Sequence, residues 1–263
     1  MLYTQMTDNL FNRTELLLGS EAMKLIRSKR VIIFGIGGVG SWCAECPVRE
    51  GIEHLTLVDS DVVCVTNCNR QLMATTKTIG EPKVEALRKR LLEINPKADI
   101  IALQKNFSEE TASDFCIETY DYVIDAIDSL KDKISLIMRA TRSHPGKGTP
   151  DKGEQGGSFF SSMGAALRID PTKVRVSEFW KIKGDPLAAA MRSAMRRHKL
   201  FPARKFLCVH SEEAPLPNLG KALHDGSQTF NKVQTNGSLA HITAIFGMTL
   251  SGLVIQDINR QGK

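Results

Sequence analysis

A glycine-rich hexapeptide sets the first chemical question. Gly35-Ile36-Gly37-Gly38-Val39-Gly40 follows the apolar run Val31-Ile32-Ile33-Phe34 and opens a helical pattern. Glycines in such a turn let the backbone take positive φ and approach a phosphate closely, while the N–H groups at the helix start attract the anion. Asp59 stands 19 residues after Gly40, at the end of the next apolar run, Leu55-Thr56-Leu57-Val58, where it is placed to accept hydrogen bonds from ribose hydroxyls. Together these residues say nucleotide without saying which one. Taken alone, the pattern fits a dinucleotide dehydrogenase or a tight turn with no ligand.

The residues after Asp59 shift the balance. A hydride-transfer site needs an apolar slot for nicotinamide, whereas this loop offers Asn67, Arg70 and Gln71, and Lys83 follows at the start of the next helix. Arginine and lysine converging on one glycine loop suit a triphosphate, whose charge must be balanced while its α-phosphate is attacked. Asp125 and Asp128 follow a later apolar run and add carboxylates on the same carboxyl edge, where open α/β sheets bind ligands. One of them could hold Mg²⁺, an ion normally shared between carboxylate and phosphates.

These side chains need a frame, and the apolar pattern predicts one. Strand, glycine turn, helix over 39–50 and strand form a βαβ unit with a right-handed crossover. A helix over 82–94, strands over 99–103 and 122–125 and a helix over 131–142 continue the alternation, and two short helices joined at Gly19-Ser20 precede it. The expected fold is therefore α/β, a Rossmann-like, mostly parallel sheet with helices on both faces. Pro47 inside the first βαβ helix predicts a kink or a broken last turn. Beyond a loop or disordered insert over 144–157, strands are expected at 159–163, 167–169 and 174–176. The last two should pair as an antiparallel hairpin through Asp170-Pro171, giving an antiparallel C-terminal extension. A basic helix over 186–198 and an apolar one over 239–257 complete the chain; His241, Thr243, Thr249 and Ser251 mark the latter as a buried core helix instead of a membrane span. The expected organisation is a nucleotide-binding core over 1–142, a flexible insert over 143–158 and a substrate extension over 159–263, packed as one continuous domain.

In combination, Gly35 to Gly40, Asp59-Ser60-Asp61-x-Val63, Asn67-x-x-Arg70-Gln71, Gly80-x-Pro82-Lys83 and Asp125-Ala126-Ile127-Asp128 resemble the adenylation domain of ubiquitin-activating and sulfur-carrier-activating enzymes. The resemblance spans about residues 12–140. It implies ATP as the nucleotide, held by Gly35, Gly37, Gly38, Gly40, Asp59 and Asp61, with Asp59 on the ribose. It further implies that Asn67, Arg70 and Lys83 handle the phosphates and that Asp128 coordinates Mg²⁺. Arg13, in Phe11-Asn12-Arg13-Thr14, corresponds in this resemblance to an arginine that such homodimers reach across into the partner's ATP site.

Within that superfamily the second half is similar to the tRNA threonylcarbamoyladenosine dehydratases, through Ser161-Ser162-Met163-Gly164-Ala165, Asp170-Pro171-Thr172-Lys173, Lys183-Gly184-Asp185-Pro186-Leu187, Ser211-Glu212-Glu213 and Asn236-Gly237-Ser238. The implied reaction adenylates the threonyl carboxylate of the modified tRNA, after which the modification closes a ring on the activated carbonyl and expels AMP. Ring closure gains from the high effective concentration of an intramolecular nucleophile. Implied partners are a tRNA substrate and a second copy of the chain; a sulfurtransferase-type partner stays open, and no membrane is expected.

Charge supports a nucleic-acid partner. The chain has 263 residues and a formal charge of +6; residues 1–150 carry 19 Lys+Arg against 20 Asp+Glu, so the positive excess is entirely C-terminal. Lys181, Lys183, Arg192, Arg196, Arg197, His198, Lys199, Arg204 and Lys205 fall within 25 residues, which fits several phosphate contacts or a solvated helix face. No aromatic-rich single-strand platform is legible, although Trp180 precedes Lys181. Six cysteines are too few and too irregular for a disulfide scaffold, and the N-terminus does not read as a secretory signal, so a cytoplasmic protein is expected. Cys43-x-x-Cys46 with Cys64 and Cys68 could hold zinc only if helix and loop converged on one tetrahedral point, and buried or incidental thiols are the default. The competing functions are an adenylyltransferase for a sulfur-carrier protein, an NAD-dependent oxidoreductase and a non-catalytic tRNA-binding module.

Overall fold

The computed structural model describes residues 10–143, 158–220 and 236–262. Helices α1 (Asn12–Leu18) and α2 (Ser20–Ser28) lead into β1 (Arg30–Phe34), α3 (Gly38–Glu50) and β2 (His54–Val58). Then come α4 (Lys83–Ile94), β3 (Asp99–Leu103), β4 (Tyr122–Asp125) and α5 (Leu130–Ser143). The second half supplies β5 (Ser158–Ser162), β6 (Val174–Glu178), α6 (Pro186–Arg197), β7 (Leu207–Ser211) and α7 (Ala240–Gln261).

All seven strands join one sheet in the order β3-β2-β1-β4-β5-β7-β6, parallel throughout except for the antiparallel pair β6–β7. The continuous apolar runs are explained by this arrangement: Val31 to Phe34 are fully buried because helices cover both faces. One face packs Ile26, Val48, Leu87 and Phe246 against the sheet; the other packs Phe107, Phe115, Ile137, Met191 and Phe206. Strand order runs outward in opposite directions from β1 and β4, so their carboxyl ends frame the switch-point crevice in which such sheets bind ligands.

Two expectations change. Pro47 does not break the first βαβ helix, which continues to Glu50 and ends at the left-handed Gly51, while the Pro47 carbonyl accepts the Ile52 N–H at 2.9 Å. The expected hairpin of 167–169 with 174–176 does not form. The N–H groups of Ile169 and Asp170 both go to the Glu213 carboxylate at 3.0 Å, Asp170 caps a short 3₁₀ turn, and β6 pairs instead with β7, a strand the sequence reading did not include. The insert over 144–157 lies outside the described residues. As expected, α7 is a core helix: it is long and apolar enough to cross a membrane by composition, yet half of its most apolar stretch is buried inside the fold, along the same packed face as α3.

Candidate active site

The anion cradle forms where β1 meets α3. Gly35 takes φ +88°, and a Cβ there would lie 2.6 Å from the Ala126 carbonyl oxygen, so the turn after β1 packs directly on the turn after β4. A Cβ on Gly40 would overlap the Gly35 carbonyl oxygen, so only glycine lets the first turn of α3 close over the strand end. No side chain caps the N-terminus of α3, which leaves its first N–H groups to offer partial positive charge to the crevice. Gly37 and Gly38 complete the turn, with Gln71 and the stem of Arg70 beside them.

Asp59 ends β2 at the rim of this cradle. Its two oxygens accept the N–H groups of Ile36 at 2.6 Å and Asp61 at 2.9 Å, which orients the carboxylate and leaves each oxygen a lone pair for a ribose hydroxyl. Burial pushes its pKa up, against the opposing pull of Lys83. Lys83 opens α4 as a buried residue, and its ammonium pairs with Asp61 at 2.7 Å. The chain between them closes as a loop: Lys83 N–H donates to the Asp61 carbonyl, and Val63 N–H to that of Glu81. Asn67 is buried in a 3₁₀ turn, its Oδ1 fixed by the Cys64 N–H at 3.0 Å. Arg70 follows on the same turn, with Nη1 donating to the Thr66 carbonyl and Asn69 Oδ1, and Trp42 Nε1 donating to its carbonyl at 3.1 Å. The glycine turn, Asp59, Asp61, Asn67, Arg70 and Lys83 are thus brought to one edge of the sheet.

The two candidate carboxylates after β4 separate in role. Asp125 is fully buried; Lys133 Nζ lies 2.8 Å from its Oδ2, Ser161 Oγ donates to the same oxygen at 2.7 Å, and the Ile127 N–H donates to the other. Burial raises its pKa, with Lys133 opposing. These partners commit Asp125 to holding the turn in place, whereas Asp128 is exposed on that turn. Among the described residues no cluster of three or more His, Cys, Asp or Glu could hold a metal alone, but a nucleotide-bound Mg²⁺ needs only one or two protein carboxylates. Asp128 fits that demand. Lys133 was missed in the sequence, although a lysine in register with Leu136, Ile137 and Ala140 on the buried face of α5 was the available signal.

Two groups fall outside the crevice. Arg13 is exposed on α1, whose preceding Phe11 packs near Gly51 beyond the far end of α3, so it lies at the opposite edge of the sheet from the cradle. Burial pushes the Cys43 thiol well up and Cys46 to about 11, and among the described residues no group of three or more His, Cys, Asp or Glu forms around them to hold a metal.

The basic stretch surrounds an aromatic feature that was not legible. Phe201, 56% exposed, lies over Trp180 with ring centroids 6.2 Å apart, and the Arg196 guanidinium sits 5.7 Å from the Trp180 ring. Lys181, Lys183, Arg197, His198, Lys199 and Lys205 are exposed around it and Arg204 is half-buried. Arg192 instead turns inward, donating to the Phe179 carbonyl at 3.1 Å.

Sheet order, glycine turn and placed acid define a nucleotide-binding α/β protein with its anion site at the switch point. More particularly, residues 11–178 match the ThiF family, and the chain belongs to that family. It is 32% identical over 252 residues to the tRNA threonylcarbamoyladenosine dehydratase of Bacillus subtilis, covering 94% of each chain. The solved E. coli tRNA N6-threonylcarbamoyladenosine dehydratase superposes with a TM-score of 0.79 as its AMP complex and 0.77 as its ATP complex, at 30% and 31% identity, over 94% of this chain and 93% of the other. Likeness to the molybdopterin-synthase adenylyltransferase of Salmonella typhimurium, 31% identical, covers only 46% of this chain and 49% of that protein.

Proposed function

We propose that this chain is an ATP-dependent tRNA threonylcarbamoyladenosine dehydratase. The observation that carries the reading is the end-to-end likeness to the dehydratases, which includes the half of the chain beyond the nucleotide core. The sulfur-carrier reading is not favoured, since its likeness stops at about half of the chain.

In this reading ATP is a substrate. Its phosphates lie on the 35–40 turn and the α3 N-terminus, and its ribose hydroxyls on Asp59. A threonyl carboxylate oxygen attacks the α-phosphorus, and pyrophosphate leaves; the carbamoyl nitrogen or oxygen then forms the ring bond to the activated carbonyl carbon, losing a proton and expelling AMP. Asn67, Arg70 and Lys83 balance the charge that builds on the phosphates. Asp128 would hold Mg²⁺, which supplies further charge neutralisation at the phosphates when bound. Cyclisation moves no sulfur and needs no cysteine nucleophile.

The exposed cations around Trp180 and Phe201 form the tRNA-binding face, the combination of phosphate contacts and a stacking surface that suits unpaired nucleotides. The chain acts as a homodimer in which α1, with Leu16 and Leu17 78% and 83% exposed, packs on a second copy and delivers Arg13 to the partner's phosphates. The test is exchange of labelled pyrophosphate into ATP. Exchange that requires tRNA bearing threonylcarbamoyladenosine supports the reading; exchange that requires a small diglycine-ended protein overturns it.

A further inference from the structure

The stretch between β5 and β6 holds a charge that nothing above uses. Arg168 is 2% exposed, and its Nε and Nη1 are buried with no hydrogen-bond partner. Two buried guanidinium nitrogens without partners are among the costlier arrangements in a protein and call for a ligand or water. The backbone is built to keep it inside. Leu167, immediately before, takes φ +60°, a left-handed conformation unfavourable for leucine, held because its N–H donates to the Gly237 carbonyl and its carbonyl accepts the Leu216 N–H, both at 2.9 Å. Strain fixed in this way concentrates at ligand sites.

Asp185 supplies a second unfilled group nearby. It is buried and caps α6 through Oδ1, which accepts the Ala188 N–H at 2.9 Å, while Oδ2 has no partner. Burial pushes the Arg168 guanidinium down, and Asp185 and Glu213 act against that shift, so these charges sense one another without bonding. Arg168 lines a cavity of about 390 Å³ walled by residues 167–169, 216–220 and 236–239, a size suited to a small-molecule group. The cavity adjoins the phosphate-handling turn: Asn69 Nδ2 donates to the Ser238 carbonyl at 2.9 Å, and Asn69 Oδ1 accepts from Arg70.

We propose that this cavity receives the threonyl arm of the substrate and that Arg168 binds its carboxylate before adenylation. The inference rests on the dehydratase reading and adds the residue that selects the carboxylate. A guanidinium fork matches a carboxylate with two parallel hydrogen bonds. Asp185 does not wall the cavity; its charge acts on the guanidinium that does. An RNA phosphate would also satisfy Arg168, and the test separates the two.

The probes are a synthetic anticodon stem-loop RNA carrying threonylcarbamoyladenosine as the free acid, the same RNA as its methyl ester, and the unmodified RNA. Each is titrated into the full-length protein with a non-hydrolysable ATP analogue. Wild type should prefer free acid over ester by about 30-fold. Arg168→Ala should lose that preference and bind ester and unmodified RNA as wild type does, with unchanged affinity for the ATP analogue. Equal discrimination in wild type and Arg168→Ala overturns the proposal, as does equal weakening toward all three RNAs, which would mark a backbone-phosphate contact. If Arg168→Ala no longer binds the ATP analogue, Arg168→Lys decides: loss of most of the acid preference supports the proposal and retention overturns it. Wild-type protein that cannot dehydrate the modified tRNA with ATP would sink the dehydratase reading itself; dehydration with unaltered discrimination in the variants sinks only the assignment of Arg168.

Discussion

Adding one methyl group at two neighbouring glycines should separate packing from ligand binding. At Gly40 a Cβ overlaps the Gly35 carbonyl oxygen and would stand 3.0 Å from its carbonyl carbon. Neither atom is a flexible tip, so the first turn of α3 must move away from β1 by on the order of 1 Å. Overpacking of this kind destabilises by about 1–3 kcal/mol, and a displacement of that size in a positioning element costs about 100-fold in turnover. Gly40→Ala should therefore lower both the urea midpoint and ATP affinity. Gly37 differs: its nearest neighbour is Gln71 Nε2 at 3.9 Å from the added Cβ, so the methyl meets no clash, although ψ −148° at φ −86° lies outside the regions L residues favour. Gly37→Ala should cost only backbone strain, about 1 kcal/mol, and so lower the urea midpoint less than Gly40→Ala does. Its Cβ would nonetheless occupy space the phosphates need, so ATP affinity by fluorescence titration should fall at least about tenfold. A Gly37→Ala protein that binds ATP as tightly as wild type would refute the claim that this turn is the phosphate cradle.

Other outcomes follow from the same geometry. Lys133→Met leaves Asp125 buried without its cation and should cost about 3–5 kcal/mol in urea unfolding at neutral pH, with Asp125→Asn/Lys133→Met recovering much of the loss; equal stability of the single variant and wild type would show that the pair does not hold the β4 turn. Burial raises the Asp59 pKa, so the folded protein protonates it at higher pH than the unfolded chain does; ATP binding should weaken as pH falls, starting above the ordinary aspartate value of about 4. An Asp59→Asn protein should lack that pH dependence, and its persistence there would assign it elsewhere. If Arg13 acts in the partner's site, inactive Arg13→Ala and Arg70→Ala proteins mixed and re-equilibrated should regain about a quarter of wild-type activity, because half of the dimers are mixed and each has one intact site; no recovery would place Arg13 outside the site.

How far the sequence carried depended on whether local pattern and tertiary packing agreed. β3 and β4 lie at the residues their apolar runs indicated, and the glycine turn with Asp59 was legible because parallel strands, tight turns and helix N-termini leave short-range signatures. Leu167-Arg168-Ile169 misled because apolar, charged, apolar alternation normally places the charge outside; here Ile169 is 54% exposed and Arg168 is inside. That inversion depends on Glu213 and Gly237, distant in sequence, taking up the backbone groups of 167–170. β7 escapes the pattern because Leu207-Cys208-Val209-His210-Ser211 mixes polar residues into a strand buried on both faces, where Val209 packs into one hydrophobic cluster and Cys208 into the other. The Trp180–Phe201 pair spans 21 positions and could not be read from composition.

Nucleoside mass spectrometry of tRNA treated with the protein, ATP and Mg²⁺ tests the central claim most directly. The account predicts that threonylcarbamoyladenosine loses the mass of one water, with one AMP and one pyrophosphate released per tRNA, and that Arg70→Ala and Lys83→Ala proteins that still fold leave the nucleoside unchanged. Unaltered nucleoside after incubation with wild-type protein that demonstrably binds ATP would contradict it.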